Sequence, residues 1–213
     1  MDLSAPISSV IPSAHGPVLA ALVRAGVPLS GRQVAAMVGS QVSRSRVNSV
    51  LTELAASGLV LRASHPPSVL YLFNWEHVAA EFVAGLADLR AQLLARMRAN
   101  IATWEKPATA VWMFGSGARG EGDVHSDIDI LVIRADRFDE NDPAWRLQLD
   151  QFSQQVTAWS GNTCEILEMS RTEVVESVRT GHKLARDLQR DALPLGGVLP
   201  SALLRQHRTA HAR

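Results

Sequence analysis

Between two apolar runs, AVWMF at 110–114 and ILVI at 130–133, the chain reads GSGARGEGDVHSDID. Short apolar runs of this kind read as buried strands. The polar link between them therefore has to sit at strand ends, where its side chains and backbone face outward. Gly115, Gly117, Gly120 and Gly122 remove side chains, so backbone N–H groups can approach the oxygens of a phosphate. The Ser116 hydroxyl can donate to the same oxygens. Asp127 and Asp129 alternate across Ile128, so on a strand over 127–133 both carboxylates project from one face. Paired carboxylates are hard oxygen ligands, and Mg²⁺ shares such ligands with substrate phosphates. Two such ions can clamp the attacking and leaving oxygens of an in-line displacement. The plain alternative is a polar turn that feeds a strand.

Around this link the back half has a small α/β pattern. ATAVWMF at 108–114, DIDILVI at 127–133 and TCEILEM at 163–169 read as strands, with a helix over 144–160 closed by Gly161 and Asn162. Glu165 lies in the third apolar strand. Glu168 is three residues on and faces the other side of it, so it ranks second as a partner for the aspartates. Ser170 and Glu173 form a capping box that opens a further helical stretch reaching to Gly197. His182, Lys183 and Arg186 lie close together on it. Glu121, Asp123 and His125 read as solvated loop residues.

Gly-Ser at 115–116, Arg-Gly at 119–120 and Ser-Asp-x-Asp at 126–129, in that order, resemble the signature of the DNA polymerase β-type nucleotidyltransferases. That family includes minimal nucleotidyltransferases and antibiotic-modifying enzymes. The resemblance spans roughly 108–169, and it implies an α/β (α+β) nucleotidyltransferase fold, a small mixed sheet with flanking helices. It further implies an NTP as substrate, Mg²⁺ or Mn²⁺ as cofactor and pyrophosphate as product. Asp127, Asp129 and Glu165 would be the metal-holding and catalytic acids, and Gly115 and Ser116 would hold the β- and γ-phosphates. By the same resemblance Arg119 steadies the loop or contacts phosphate, Ser126 caps the backbone or touches the triphosphate, and Lys183 neutralises the triphosphate. Gly117 departs from the bulkier residue the family carries there, so local stacking at that point is expected to be lost.

The front half has a different pattern. PVLAALVRA at 17–25 ends at Gly26, Ser30 and Gln33 form a capping box before GRQVAAMV, and a third helix starts near Ser43. LVLR and VLYLF follow as strands on either side of the turn ASHPPS. Three short helices and a hairpin, over about 17–74, resemble a winged helix-turn-helix domain. In DNA-binding relatives the polar residues near the start of the third helix reach base edges. Arg44, Ser45, Arg46 and Asn48 occupy that place, with Ser49 beside them and Arg62 and His65 near the wing. The same residues also read as the solvated face of an amphipathic helix. From 76 to 105 the pattern keeps helical periodicity, with Val78, Phe82, Leu86, Leu89, Leu93, Leu94, Met97 and Ile101 on one broad face. This reads as a connector helix that could also pair two copies into a homodimer. The expected organisation is a winged-helix domain over 1–75, the connector over 76–105, a nucleotidyltransferase domain over 106–198 and a basic tail over 199–213.

Composition excludes more than it identifies. The formal net charge is zero, so no global field draws nucleic acid or membrane, although residues 1–100 carry eight arginines against five acids. The single cysteine, Cys164, rules out an internal disulfide and suits a reducing compartment. No apolar run approaches the ~20 residues of a membrane span, and no basic-then-apolar leader opens the sequence. A cytoplasmic protein that avoids membranes is the expectation. The leading functional expectation is transfer of a nucleoside monophosphate to a hydroxyl on a protein or RNA. The resemblance to minimal nucleotidyltransferases of toxin–antitoxin and phage-defence modules points to protein AMPylation or RNA modification. The rival is a DNA-binding transcription regulator whose transferase-like domain senses nucleotide.

Overall fold

The computed structural model describes residues 1–40 and 42–204 and, at His65, the backbone alone. The tail expected over 199–213 lies, from residue 205 on, outside the described residues, as does the side chain of His65. The chain forms two compact units: Asp2 with Ser4–Arg90, and Met1 and Leu3 with the chain from Ala91 on.

The first unit opens with a short 3₁₀ turn, Pro6–Ser9, and helix α1, His15–Ala25. Gly26 closes α1 in the left-handed region (φ 61°), donating its N–H to Leu22 O. A two-residue strand β1, Leu29–Ser30, leads into α2, Gly31–Val38, through the expected capping box: Ser30 and Gln33 bond each other's backbone. Helix α3, Arg44–Ala56, begins at Ser43, whose hydroxyl accepts from Arg46 N–H. Its Val47, Val50, Leu51 and Leu54 are buried at helical spacing. Strands β2, Val60–His65, and β3, Ser68–Phe73, pair antiparallel from Val60 opposite Phe73 to His65 opposite Ser68. The hairpin runs closer to its tip than the sequence suggests. β1 pairs with the other edge of β3, giving the order β1-β3-β2.

Where one helix is expected over 76–105, two form: α4, Ala80–Ala87, and α5, Leu89–Ile101. The joint is Asp88, whose N–H is shared between Ala84 O and Gly85 O. Aspartate is a weak helix former, and this shared bond tightens the last turn of α4. Each piece serves its own core: Val83 and Ala87 pack in the first unit, and Leu93, Leu94 and Met97 in the second. Val78 and Phe82, expected on the same stripe, are exposed.

The second unit is a mixed sheet with helices on both faces. Its elements in order are β4, Ala110–Phe114; α6, Gly115–Arg119; β5, Ile128–Arg134; α7, Pro143–Ser160; β6, Cys164–Ser170; α8, Arg171–Arg179; α9, Lys183–Asp191; β7, Leu193–Gly197; and α10, Pro200–Leu204. The strand order is β6-β5-β4-β7, with β5 and β6 parallel and the other pairs antiparallel. The parallel pair needs a crossover, and α7 supplies it. β7 differs from expectation, since the sequence reads as helix up to Gly197. Pro194 and the Gly196-Gly197 pair hide the strand signal, and an edge position is where a sheet tolerates proline.

Side chains alternate across the two central strands. Val111, Met113, Ile128, Ile130 and Val132 face α5 and α7, where Trp145, Leu149, Phe152 and Val156 cover them. Ala110, Trp112, Leu131 and Ile133 face the other way, towards Val174 and Leu188 of α8 and α9. Asp129 is in phase with Leu131 and Ile133. No helix among the described residues is long and apolar enough to cross a membrane.

Candidate active site

The Gly-Ser stretch is a single turn of helix rather than an open loop. Phe114 ends β4 in an extended conformation, and Gly115 turns the chain at φ 70°, a region that L side chains avoid. Added bulk would also have no room there, because a Cβ on Gly115 would stand 2.6 Å from Asp129 Oδ2. Gly115 is thus pressed against one of the acids. The remaining glycines have structural tasks, contrary to a role for all of them in approaching phosphate. Gly120 is the left-handed cap of α6 (φ 71°), Gly117 packs on Met113 and Leu3, and Gly122 lies against Leu3, Ser126 and Ser116.

The acids meet at the start of β5 and β6. Asp127 stands one residue before β5 and is exposed, while Asp129 is half-buried inside the strand. In the parallel register Asp129 lies directly beside Glu165, and in the antiparallel register it lies beside Phe114. Burial first, then the charges of Asp127 and Glu165, raise the pKa of Asp129 above the ordinary carboxylate range. Asp127 and Glu165 are therefore each close enough to Asp129 to act on its charge. Among the described residues none of the three has an ion-pair partner. Nor does any group of three or more His, Cys, Asp and Glu among the described residues stand ready to enclose a metal ion. Gathering round one ion requires rotamer changes, and the exposed side chains of Asp127 and Glu165 have room for them. Uncompensated hard-oxygen donors on one sheet face are the donor set a divalent cation takes.

Glu168 has another task. It accepts from Arg134 Nε at 2.8 Å and from Trp145 Nε1 at 2.9 Å, with Arg146 Nη1 at 3.1 Å, on the α7 side of the sheet. It ties β5, β6 and α7 together. Glu165 therefore stands alone as the β6 acid beside Asp129.

The other expected site residues are spread more widely. Arg119 pairs with Glu121 at 2.6 Å and with Asp191 at 2.5 Å, so it fastens α6 to the end of α9. The Asp191 side chain is only 3% exposed, and the guanidiniums of Arg190 and Arg119 hold its carboxyl at about 2. Lys183 sits at the opposite end of α9, about 12 Å from Asp191 at 1.5 Å rise per residue. The Ser126 hydroxyl donates to Asp123 Oδ1 and accepts from Asp123 N–H, which makes it a cap of its own loop. Its bond, with one from His125 N–H, holds the Asp123 carboxyl below the usual range.

In the first unit, Arg44, Ser45, Arg46 and Asn48 are all exposed on α3. Arg46 is engaged, donating to Glu53 at 3.1 Å, and Glu53 also meets His15. Asn48 abuts Gly31 at the start of α2 so closely that a Cβ there would fall 2.2 Å from its Oδ1. Arg62 is exposed on β2.

Sequence reasoning missed Asn162. It is 2% exposed, and its Nδ2 donates to Asp123 O at 3.0 Å and to Ser126 O at 2.9 Å. It pins the loop that delivers Asp127 to the start of β6. A buried asparagine directly after a helix-closing glycine is the signal, and it reads in sequence as no more than a stop. Cys164, next to Glu165, is a core residue whose thiol burial pushes up to about 12.

Residues 97–180, less than half of the chain, match the family model described as a nucleotidyltransferase domain. The match holds β4, α6, β5, α7 and β6 and with them all three acids. No curated protein matches. Among solved structures, a toxin-antitoxin crystallised with AMP-PNP is similar at 15% identity, over 53% of this chain and 79% of that one, with a TM-score of 0.33. A mutant of the toxin-antitoxin MntA-HpeT is similar at 16% identity, over 54% of this chain and 80% of that one, also with a TM-score of 0.33. Within the second unit, then, residues 97–180 are similar to a nucleotidyltransferase domain, and the three adjoining carboxylates lie inside the matched stretch.

Proposed function

We propose that the protein transfers a nucleoside monophosphate from an NTP to a hydroxyl acceptor on a protein or RNA, with release of pyrophosphate. The observation that carries this reading is the placement of Asp129 beside Glu165, with Asp127 two residues earlier and Gly115 pressed on the Asp129 carboxylate. Asp127 and Asp129 would hold Mg²⁺ or Mn²⁺, which when bound neutralises charge on the triphosphate and on the leaving oxygen. Ser116, at the start of α6, is the donor to the β- and γ-phosphates. The acceptor oxygen attacks the α-phosphorus, its proton passes to the Glu165 carboxylate, and the bond to the β-phosphate oxygen breaks. Arg119 acts through α9 rather than on phosphate, because both its partners are carboxylates of the fold. Lys183, at the start of α9, is the candidate that neutralises the triphosphate.

Labelled NTPs incubated with Mg²⁺ or Mn²⁺ and a candidate acceptor should give a mass shift on that acceptor. Asp127→Ala/Asp129→Ala should abolish it. Absence of nucleotide uptake under every metal condition would sink the proposal.

The first unit supports a second reading. What supports it is the order of a helix, a short strand, two helices and a hairpin, with β1 on the free edge of β3, which resembles a winged helix. We read it as a nucleic-acid module spanning about 1–75, with Arg44, Ser45, Arg46 and Asn48 as contacts. This would make the protein a DNA-binding regulator, alone or in addition to the transfer activity. Because Arg46 is tied to Glu53 and Asn48 to α2, Arg44 carries most of the burden. A gel shift in which Arg44→Ala/Arg46→Ala binds DNA and RNA as the parent protein does would reduce the unit to a structural role.

A further inference from the structure

The segment 115–127, which carries Ser116 and Asp127, is held from below by residues far away in sequence. Leu3 belongs to the second unit, apart from its neighbours Asp2 and Ser4. It is 2% exposed and packs in the core that includes Met113, Ile128 and Ile130. Its N–H donates to Gly122 O at 2.7 Å. Its Cδ1 fills the space left by two missing side chains: a Cβ would meet it at 3.4 Å on Gly117 and at 3.3 Å on Gly122. At Gly122 the same Cβ would lie 3.3 Å from Ser126 Cβ and 3.5 Å from Ser116 Oγ. Both arms of the segment therefore converge on the point that Leu3 occupies. Beyond it, the main-chain nitrogen of Met1 donates to Ser160 O at 2.7 Å and to Asn162 Oδ1 at 2.6 Å. Asn162 in turn holds the carbonyls of Asp123 and Ser126.

We infer that residues 1–3 form a strap that sets the nucleotide-binding segment, with Leu3 as a positioning residue for Ser116 and Asp127. The glycines at 117 and 122 give the slot, and the aliphatic side chain from the start of the chain fills it. An ordinary core leucine lends stability to a whole unit. This one contacts the segment itself through a main-chain hydrogen bond and through both glycines, so its loss acts first on that segment. The strap's effect on nucleotide rests on the transfer reading above, whereas its effect on the order of the segment does not.

The test uses the full chain with Leu3→Ala, the milder Leu3→Val and the conservative Leu3→Met. Amide hydrogen exchange should rise about tenfold or more over 115–127 in Leu3→Ala, with β5 and α7 still protected. Leu3→Val should show a smaller rise, and Leu3→Met should return it towards the parent value. In the transfer assay KM for the metal–NTP complex should rise about fivefold or more, because a loosened ground-state site loses binding, and kcat should fall with it, because the loosened segment carries Asp127. Unchanged exchange over 115–127, or a rise spread evenly over the whole unit, overturns the strap. Unchanged KM in a variant whose segment has loosened overturns the positioning role. If the parent protein takes up no nucleotide, the transfer reading fails while the exchange result still decides the strap.

Discussion

Replacing Gly115 by alanine separates two costs that the structure places on one residue. The first is conformational. At φ 70° an L residue occupies the left-handed region, which costs about 1–2 kcal/mol. For a chain of this length that is a fall in Tm of roughly 2–8 °C. The second cost is steric and local. The new Cβ would stand 2.6 Å from Asp129 Oδ2 and 3.5 Å from its Cγ, so the carboxylate has to retreat by about half an ångström. Asp129 cannot retreat freely, since it sits inside a central strand between Phe114 and Glu165. A misplacement approaching 1 Å at a reacting centre costs about 10²-fold in rate, so transfer should fall between tenfold and a hundredfold. Gly181→Ala is the control. Gly181 also has a positive φ, 65°, but a Cβ there meets nothing within 4 Å. Both variants should lose similar stability, while only Gly115→Ala loses activity and metal affinity when assayed by pyrophosphate release and by calorimetry. Equal activity in the two variants would refute the idea that Gly115 and Asp129 form one packed unit of the site.

Other perturbations separate structure from chemistry. Glu168→Ala removes the acceptor of Arg134 Nε and of the Trp145 indole N–H, which should cost about 2 kcal/mol and lower Tm; Glu165→Gln should leave Tm within a degree or so and abolish transfer. Because the folded pKa of Asp129 is raised, its charge opposes folding at neutral pH, and the penalty fades as pH falls through that raised value. Asp129→Asn should therefore raise Tm at neutral pH, lose that advantage in acid, and no longer be stabilised by added Mg²⁺ or Mn²⁺, all readable by thermal melts with and without metal. Asp191 has the opposite sign: its folded pKa, about 2, is depressed, so its stabilising share is complete above the unfolded carboxylate value and disappears as pH falls towards 2. Asp191→Asn should flatten the acid limb of the stability profile, and an acid limb like the parent's would count against the Arg119–Asp191 fastening. Cys164 should resist thiol reagents at neutral pH in the native state and react only on unfolding.

Much of the site is legible in sequence because the informative residues are local. Asp127 and Asp129 straddle one isoleucine, and period-2 geometry is enough to put them on one face, even though β5 begins only at Ile128. The capping boxes at Ser30 and Ser170 are equally local, and both form. Glu165 over Glu168 follows from strand phase, and the contacts of Glu168 with Arg134 and Trp145 account for the second acid. What escapes is whatever depends on contacts distant in the chain. The packing of Leu3 under Gly117 and Gly122, the Asn162 clasp and the Arg119–Asp191 pair join residues far apart in sequence, with no periodic trace. β7 escapes because an edge strand can be made of proline and glycine. The glycines mislead for a related reason, since a missing side chain serves a phosphate, a cap or a neighbouring leucine equally well. The break at Asp88 escapes because apolar periodicity continues across a joint where the chain passes from one core to the next.

The proposed transfer requires Asp127, Asp129 and Glu165 to form one metal-dependent nucleotide site. Titrating the protein with an NTP in a calorimeter, with Mg²⁺ or Mn²⁺ and then with chelator, tests this. Binding should require the metal and be lost in Asp127→Ala/Asp129→Ala, with the melting profile of the first unit unchanged. Binding that persists in chelator, or that survives loss of both aspartates, would contradict it.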